Sequence, residues 1–117
     1  MKILEKIFGN STHLDIILLF YNHPGYFTNI TKLAQTLDKS HVTVRKAVSD
    51  LVAAGILTEL DIGKSHVIKI NEQSLYAKTL FNFIDRVRSV EEQRSIEEII
   101  AKRAGARAGS AASGSER

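Results

Sequence analysis

Two short amphipathic helices separated by a tight turn constrain the fold of this chain more than any other feature. Apolar residues recur at helical spacing over Ile30–Leu37 and again over His41–Ala54, with Asp38-Lys39 as the turn between them. Asn29 and Ser40 precede the two segments, where their side chains can accept hydrogen bonds from free backbone N–H groups. The expected buried stripes are Ile30, Leu33, Ala34 and Leu37 on the first helix, and Val44, Ala47, Val48, Leu51 and Val52 on the second.

A β-hairpin is expected directly after the second helix. Gly55 can end that helix in the left-handed conformation. The runs Ile56–Ile62 and His66–Ile70 are rich in β-branched residues and partly alternate in polarity, and the turn Gly63-Lys64-Ser65 separates them. The sequence therefore predicts two helices followed by a hairpin.

Two further helices and a short strand are expected before this segment. Ile3, Leu4, Ile7 and Phe8 predict a short helix over residues 2–8, and a second helix is expected over Thr12–Asn22, capped by Asn10 or Ser11. Pro24-Gly25 ends the second helix, and Tyr26–Thr28 is expected to form a strand. The inward face of the second helix is predicted as Leu14, Ile17, Leu18 and Tyr21, widened by Ile16, Leu19 and Phe20.

The C-terminal third predicts a long helix followed by a disordered tail. Neither Gly nor Pro occurs from Ser74 to Ala104, and helix formers dominate. Two alternatives remain open for this segment, one continuous helix or a helix that breaks near 89–95. The break is an alternative because Ser89 with Glu92, and Ser95 with Glu98, each fit a capping box. Residues 105–117 are rich in Ala, Gly and Ser and are expected to be disordered.

This order of elements resembles the winged helix-turn-helix transcription regulators of the MarR, ArsR and PadR type. The resemblance runs from Ile7 to Asn71 and rests on Ile30–Leu37, on Ser40–Val48 with its Thr-Val pair and basic residues, and on Leu51–Leu57. Residues 7–11 are similar to the corresponding segment of small archaeal dimeric regulators. The implied fold class is mainly α with a small β-hairpin wing (α+β), a winged helix-turn-helix with a long C-terminal dimerisation helix.

The same resemblance makes His41–Ala54 a recognition helix for the major groove of duplex DNA. Its polar side is expected to face DNA, where Arg45 can bond guanine and Lys46 can meet a phosphate. The start of the Ile30 helix can hold a phosphate, and the hairpin turn is the right size to reach the DNA backbone. The predicted DNA-contacting residues are Thr31, Lys32, Ser40, His41, Thr43, Arg45, Lys46, Ser49, Lys64, Ser65 and His66. Glu59 and Asp61 in the hairpin would repel phosphate if they faced it.

Charge and composition agree with a nucleic-acid partner and argue against other classes. The formal net charge is +3, and the residues from 28 to 71 carry most of the excess. The chain has no cysteine, which excludes disulfides and thiolate metal sites. His41 and His66 have no evident third ligand, and no nucleophile or phosphate loop accompanies the acidic residues. No metal, cofactor or catalytic activity is expected, and the sequence indicates no particular effector.

The apolar residues of the long helix predict a homodimer. A helix of about 45 Å cannot keep its full stripe against a domain of about 11 Å radius of gyration. A second subunit is the expected cover, with two recognition helices one DNA turn apart. The predicted interface is Ile3, Leu4, Ile7, Leu80, Phe83, Ile84, Val87, Val90, Ile96, Ile99 and Ile100.

The expected organisation is a DNA-binding domain over residues 1–73, a dimerisation helix over 74–104 and a tail over 105–117. Lys2, Glu5 and Lys6 argue against a secretory leader, and the apolar run Ile16–Tyr21 is too short to span a bilayer, so a cytoplasmic protein without a membrane partner is expected. A DNA-binding regulator, and a repressor in particular, is the first hypothesis. The alternative is a winged-helix interaction or DNA-organising module in a larger assembly, such as transcription or plasmid-partition machinery.

Overall fold

The computed structural model describes residues 1–108, within which five helices and a small sheet follow the order that the sequence predicts. The chain is mainly helical, and its strands form one antiparallel sheet. The elements are α1 Lys2–Phe8, α2 Thr12–Asn22, β1 Phe27–Thr28, α3 Ile30–Leu37, α4 His41–Ala53, β2 Leu57–Ile62, β3 Ser65–Ile70 and α5 Leu75–Ala108.

The predicted N-caps define where the helices start. The Asn29 side-chain oxygen accepts a hydrogen bond from a first-turn N–H of α3 at 2.8 Å. The Ser40 hydroxyl does the same for α4 at 3.1 Å. Ser11 rather than Asn10 caps α2, and Ser74 caps α5. Each cap satisfies one of the backbone donors that a helix start leaves without an intrahelical partner.

The turn between α3 and α4 depends on a left-handed residue. Asp38 has φ 55° and ψ 50°, and it is the one non-glycine residue of the described chain with positive φ. The backbone N–H of Lys39 then reaches the Ala34 carbonyl at 3.0 Å. Aspartate tolerates this conformation better than most residues, so the predicted tight turn forms without glycine.

The hairpin belongs to a sheet of three strands in the order β1-β3-β2. Leu57 pairs with Ile70 and Ile62 with Ser65, so the turn is Gly63-Lys64 and the third residue of the predicted turn, Ser65, belongs to β3. The short strand β1 pairs with β3 in the register Phe27 to Lys69. Residues alternate across a strand, so one sheet face meets the core and the other faces solvent.

The core lies between α2, α3, α4 and the inner face of the sheet. The first two turns of α5 add Ala77, Leu80 and Phe81 to it. The central side chains of the core are fully buried, and they come from α2, α3, α4 and β3. They are Ile16, Phe20, Leu33, Val44, Val48 and Ile68. The buried stripes of α3 and α4 are therefore those expected from their periodicity.

The inward face of α2 only partly matches the predicted one. The buried residues Ile16, Leu18 and Phe20 all belong to the predicted face or to its widening, whereas Leu14 and Tyr21 of that face are only half-buried. Nearly every position from 14 to 21 is apolar, so periodicity within α2 could not decide which side the core would take. Packing against α3 and α4 selects the face.

The long helix α5 is continuous from Leu75 to Ala108, which decides between the two alternatives against a break near 89–95. Within a helix, each N–H already bonds the carbonyl four residues earlier, and Ser89 and Ser95 have no free donors to cap. The disorder predicted from residue 105 is wrong for 105–108, because one glycine among helix formers costs only about 1 kcal/mol. The remainder of that tail, 109–117, lies outside the described residues.

The chain divides into two compact units, Met1–Phe81 and a second that begins at Asn82. The first unit contains α1 to β3 and the start of α5, and the described part of the second is helical throughout. Among residues 1–108, no helix has the combination of length and hydropathy required to cross a membrane.

Candidate nucleic-acid interface

The exposed side of α4 carries the side chains that the sequence assigns to DNA. His41, Thr43, Arg45, Lys46 and Ser49 are all exposed. The opposite side of the helix is buried, and its valines anchor it to the core. A helix held in this way on one face can enter a major groove, which is about 12 Å wide, with the other.

Val42 is a candidate contact that sequence reasoning missed. Its side chain is 80% exposed in the first turn of α4, beside His41 and Thr43. Apolar contact with a thymine methyl group is one way in which proteins recognise bases. The signal was present in the sequence, because Val42 does not fall on the buried stripe of α4.

The hydroxyls at the start of α4 are largely occupied within the protein. Ser40 Oγ accepts from the Thr43 N–H and donates to Thr43 Oγ1 at 2.9 Å. His41 Nε2 lies 3.4 Å from Thr31 Oγ1 on α3. Ser40 therefore shapes the N-terminus of the helix, and Thr43 and His41 are the more accessible contacts.

Lys46 is held by a carboxylate on its own helix. Lys46 Nζ donates to Asp50 Oδ1 at 2.9 Å, and His13 of α2 donates to Asp50 Oδ2 at 2.7 Å. The hydrogen bond from His13 has the larger effect and the one from Lys46 the smaller, and together they hold the pKa of Asp50 below its usual range. This arrangement links α2 to α4.

Arg45 is bound to the hairpin. Arg45 Nη1 lies 3.2 Å from Glu59 Oε2 on β2, and the same oxygen accepts from Nε2 of His66 on β3. The other ring nitrogen of His66 lies 2.5 Å from Asp61 Oδ1. Its hydrogen bond to Glu59 has the larger effect and its hydrogen bond to Asp61 the smaller, and both raise the pKa of His66. The acidic residues expected to repel phosphate are thus paired with Arg45 and His66.

A groove of about 540 Å³ brings three of the predicted contact regions together. The N-terminus of α3 contributes Thr31 and Lys32, α4 contributes Arg45, and the hairpin contributes its turn. Backbone N–H groups at a helix N-terminus favour an anion. The hairpin residues that line this groove are Lys64, Ser65, His66 and Val67.

His41 and His66, the two histidines considered as metal ligands in the sequence analysis, contact different residues. His66 contacts Glu59 and Asp61, while His41 contacts Thr31. Within residues 1–108 there is no group of three or more histidine, cysteine or acidic residues arranged to hold a metal ion.

The predicted dimer residues fall into three groups by exposure. Leu4 and Ile84 are buried within the single chain. Ile3, Leu80 and Val87 are partly buried. The exposed members are Ile7 on α1 and, on α5, Phe83, Val90, Ile96, Ile99 and Ile100.

The two helices, the turn between them and the paired hairpin together make this a winged-helix fold, the fold of a large class of transcription regulators. The sequence matches no protein-family model and has no significant curated relative. Solved structures resemble it over most of its length. The adhesin competence repressor from Streptococcus pyogenes has 18% identity and a TM-score of 0.52, with 91% of this chain and 86% of that chain covered.

Two further solved structures extend this similarity. The transcriptional regulator Tm0710 from Thermotoga maritima has 19% identity and a TM-score of 0.50, covering 96% of this chain and 85% of its own. The protein RV1404 from Mycobacterium tuberculosis has 17% identity and a TM-score of 0.60, covering 95% of this chain and 82% of its own. The structural neighbours include transcription regulators. At these identities the likeness establishes the fold.

Proposed function

We propose that this protein is a cytoplasmic, sequence-specific regulator of transcription that binds duplex DNA as a homodimer and acts as a repressor. The groove formed by the α3 N-terminus, Arg45 and the hairpin turn carries the proposal. It brings cationic side chains and helix-terminal N–H groups to one surface beside the exposed face of α4. The similarity to solved regulators supports the same conclusion at the level of fold.

The proposed division of labour follows from the chemistry of each side chain. Arg45 can donate two parallel hydrogen bonds to the O6 and N7 atoms of guanine. Lys32 and Lys64 are point charges at the edge of the groove and suit phosphate, which fixes position without specifying sequence. Val42 and Thr43 offer methyl groups to thymine.

Affinity for duplex DNA is expected to fall steeply with salt, because bound lysine and arginine release condensed counterions from phosphates. If Lys32, Lys46 and Lys64 each neutralise one phosphate, the slope of log affinity against log salt is about −3 per subunit. Fluorescence anisotropy with a labelled random duplex at several salt concentrations measures this slope.

Paired lysine variants provide the control for this experiment. Lys64→Ala should reduce the slope by about one, whereas Lys78→Ala, an exposed residue that does not line the groove, should leave it unchanged. Binding that is insensitive to salt, or no binding at low salt, would remove the DNA-binding proposal.

The apolar surface of α5 supports the proposed dimer and divides into two faces. Ile96 lies thirteen residues after Phe83, which at about 100° per residue is a rotation of about 220°. Val90 lies near the side of Phe83, whereas Ile99 and Ile100 lie on the side of Ile96. Exposed apolar patches of this kind mark interaction sites more often than free monomer surface.

Light scattering at micromolar concentration should give twice the mass of one chain. Val90→Asp tests one face of α5, and Ile96→Asp combined with Ile99→Asp tests the other, while Ser95→Asp adds a charge at an exposed polar position as the control. The variant that dissociates identifies the face within the interface, because an unpaired charge is costly there. A monomer mass for the unaltered chain contradicts the proposed dimer.

The alternative function, a winged-helix interaction module, is favoured by the outer face of the sheet. Phe27, Leu60 and Ile62 are exposed there and line an apolar groove of about 300 Å³. The variant Leu60→Asp tests this alternative. If DNA is the partner, the variant should keep its binding to random DNA. If the outer face of the sheet binds another protein, the variant should lose its function in the cell.

A further inference from the structure

Four charged side chains form one cluster where α4 meets the hairpin. Glu59 is at its centre, since one oxygen of its carboxylate contacts both Arg45 and His66. His66 also reaches Asp61, so the imidazole lies between two carboxylates. Arg45 and His66 line the groove assigned to DNA, which makes this cluster part of that surface.

The contacts of His66 require both of its ring nitrogens to donate. A carboxylate accepts hydrogen bonds, and a neutral imidazole carries only one N–H. The imidazole can therefore satisfy Glu59 and Asp61 together only as the doubly protonated cation. When the proton leaves, one of the two carboxylates loses its partner.

The net charge of the cluster depends on that proton. With His66 protonated, two cationic and two anionic groups balance. With His66 neutral, the cluster carries one net negative charge beside the groove. The charged groups that face this region are Lys32 of α3, Arg45 of α4, Glu59 and Asp61 of β2, and Lys64 of the hairpin turn.

We propose that His66 makes DNA binding at this surface dependent on protonation, because its charged form neutralises Asp61 and shares the Glu59 carboxylate with Arg45. The proposal rests on the DNA-binding function proposed above and describes its regulation. Deprotonation leaves Glu59 with Arg45 as its remaining cationic partner and adds negative charge near the phosphates. Both effects oppose binding.

The pH range follows from the direction of the shift. Histidine ordinarily titrates near pH 6.5, and the two carboxylates raise the pKa of His66 above that value. The favourable charge is therefore complete in mildly acidic solution and is lost as the pH rises through the raised pKa. DNA itself favours the cation, so bound duplex should extend the protonated form to still higher pH.

The proposal is tested by measuring affinity for one duplex at constant salt from about pH 6 to about pH 8.5, a range that includes the usual histidine pKa. The unaltered protein should lose about five- to tenfold in affinity across this range, the effect of about one charge on a phosphate contact. His66→Gln should bind with nearly constant affinity. His23→Gln provides the matched control, because His23 is exposed and does not line the groove, and it should keep the full pH dependence.

The carboxylate variants distinguish the cluster from a simple contact between histidine and phosphate. Glu59→Gln and Asp61→Asn each remove a partner of His66, so each should bind DNA more tightly at high pH and move the midpoint of the profile to lower pH. A histidine that acts only by touching phosphate would keep its midpoint in both variants, and that result overturns the proposal.

An NMR titration of the imidazole in the DNA-free protein supplies the readout that does not require binding. We expect His66 to titrate above the ordinary histidine range and to return toward that range in Glu59→Gln. Titration of His66 within the ordinary range overturns the inference while leaving the DNA-binding function intact, as does an unchanged pH profile in His66→Gln. Absence of DNA binding at every pH overturns both.

Discussion

Replacing Arg45 with alanine is expected to weaken binding to the preferred duplex by about 1–3 kcal/mol, or about five- to 150-fold, if the guanidinium bonds a guanine. The effect should be confined to one base position, since only that position loses its contact. Selection of bound sequences from a random duplex pool, with the unaltered protein and with Arg45→Ala, would show which base preference relaxes.

Lys64→Ala provides the comparison for Arg45. A lysine in the hairpin turn that meets phosphate contributes to affinity without specifying sequence, so this variant should weaken specific and random duplexes alike. Our assignment of the two roles is wrong if both variants reduce binding to specific and random DNA by the same factors. Arg45→Ala also leaves Glu59 with His66 alone, so the comparison is best made in mildly acidic solution.

Replacing Phe20 with alanine is expected to lower the free energy of unfolding by about 3–5 kcal/mol, which is the largest effect predicted for any single change. Phe20 is 2% exposed, and its ring centroid lies 5.5 Å from that of Tyr26. Removing the ring leaves a cavity between α2 and the other helices of the core. Denaturant unfolding followed by circular dichroism, at one fixed protein concentration, measures the change.

Phe27→Ala is the matched control, because the same atoms are removed from a side chain that is 68% exposed. It should cost far less than Phe20→Ala, since little apolar area returns to water. Equal losses in the two variants would contradict the core described above. Circular dichroism before unfolding checks that both variants retain their helices.

Local features of the sequence were sufficient to predict most of the fold. The capping side chains Asn29 and Ser40, the Asp38 turn and the glycine after α4 each act within a few residues of the chain. The buried stripes of α3 and α4 have a clear polar side, which made their orientation predictable. All eleven predicted DNA-contact residues are exposed, although their contacts with DNA remain a prediction.

The features that the sequence did not predict depend on packing between different elements. The face of α2 was ambiguous because apolar residues surround the helix, and only its neighbours decide between Leu14 and Phe20. Arg45 and Glu59 are fourteen residues apart and on different elements, so no local pattern reveals that they pair. The acidic residues of β2 therefore looked unfavourable until their cationic partners were visible.

The order of the strands gives Glu59 and Asp61 a second consequence, for solubility. Because β3 lies between β1 and β2, one side of β2 has no neighbouring strand among residues 1–108. An open strand edge with exposed Leu60 and Ile62 can pair with the same edge of another molecule and begin to aggregate. Two such strands would bring their acidic residues together, and the repulsion opposes that pairing. Variants that neutralise both carboxylates should therefore precipitate at lower protein concentration than the unaltered chain.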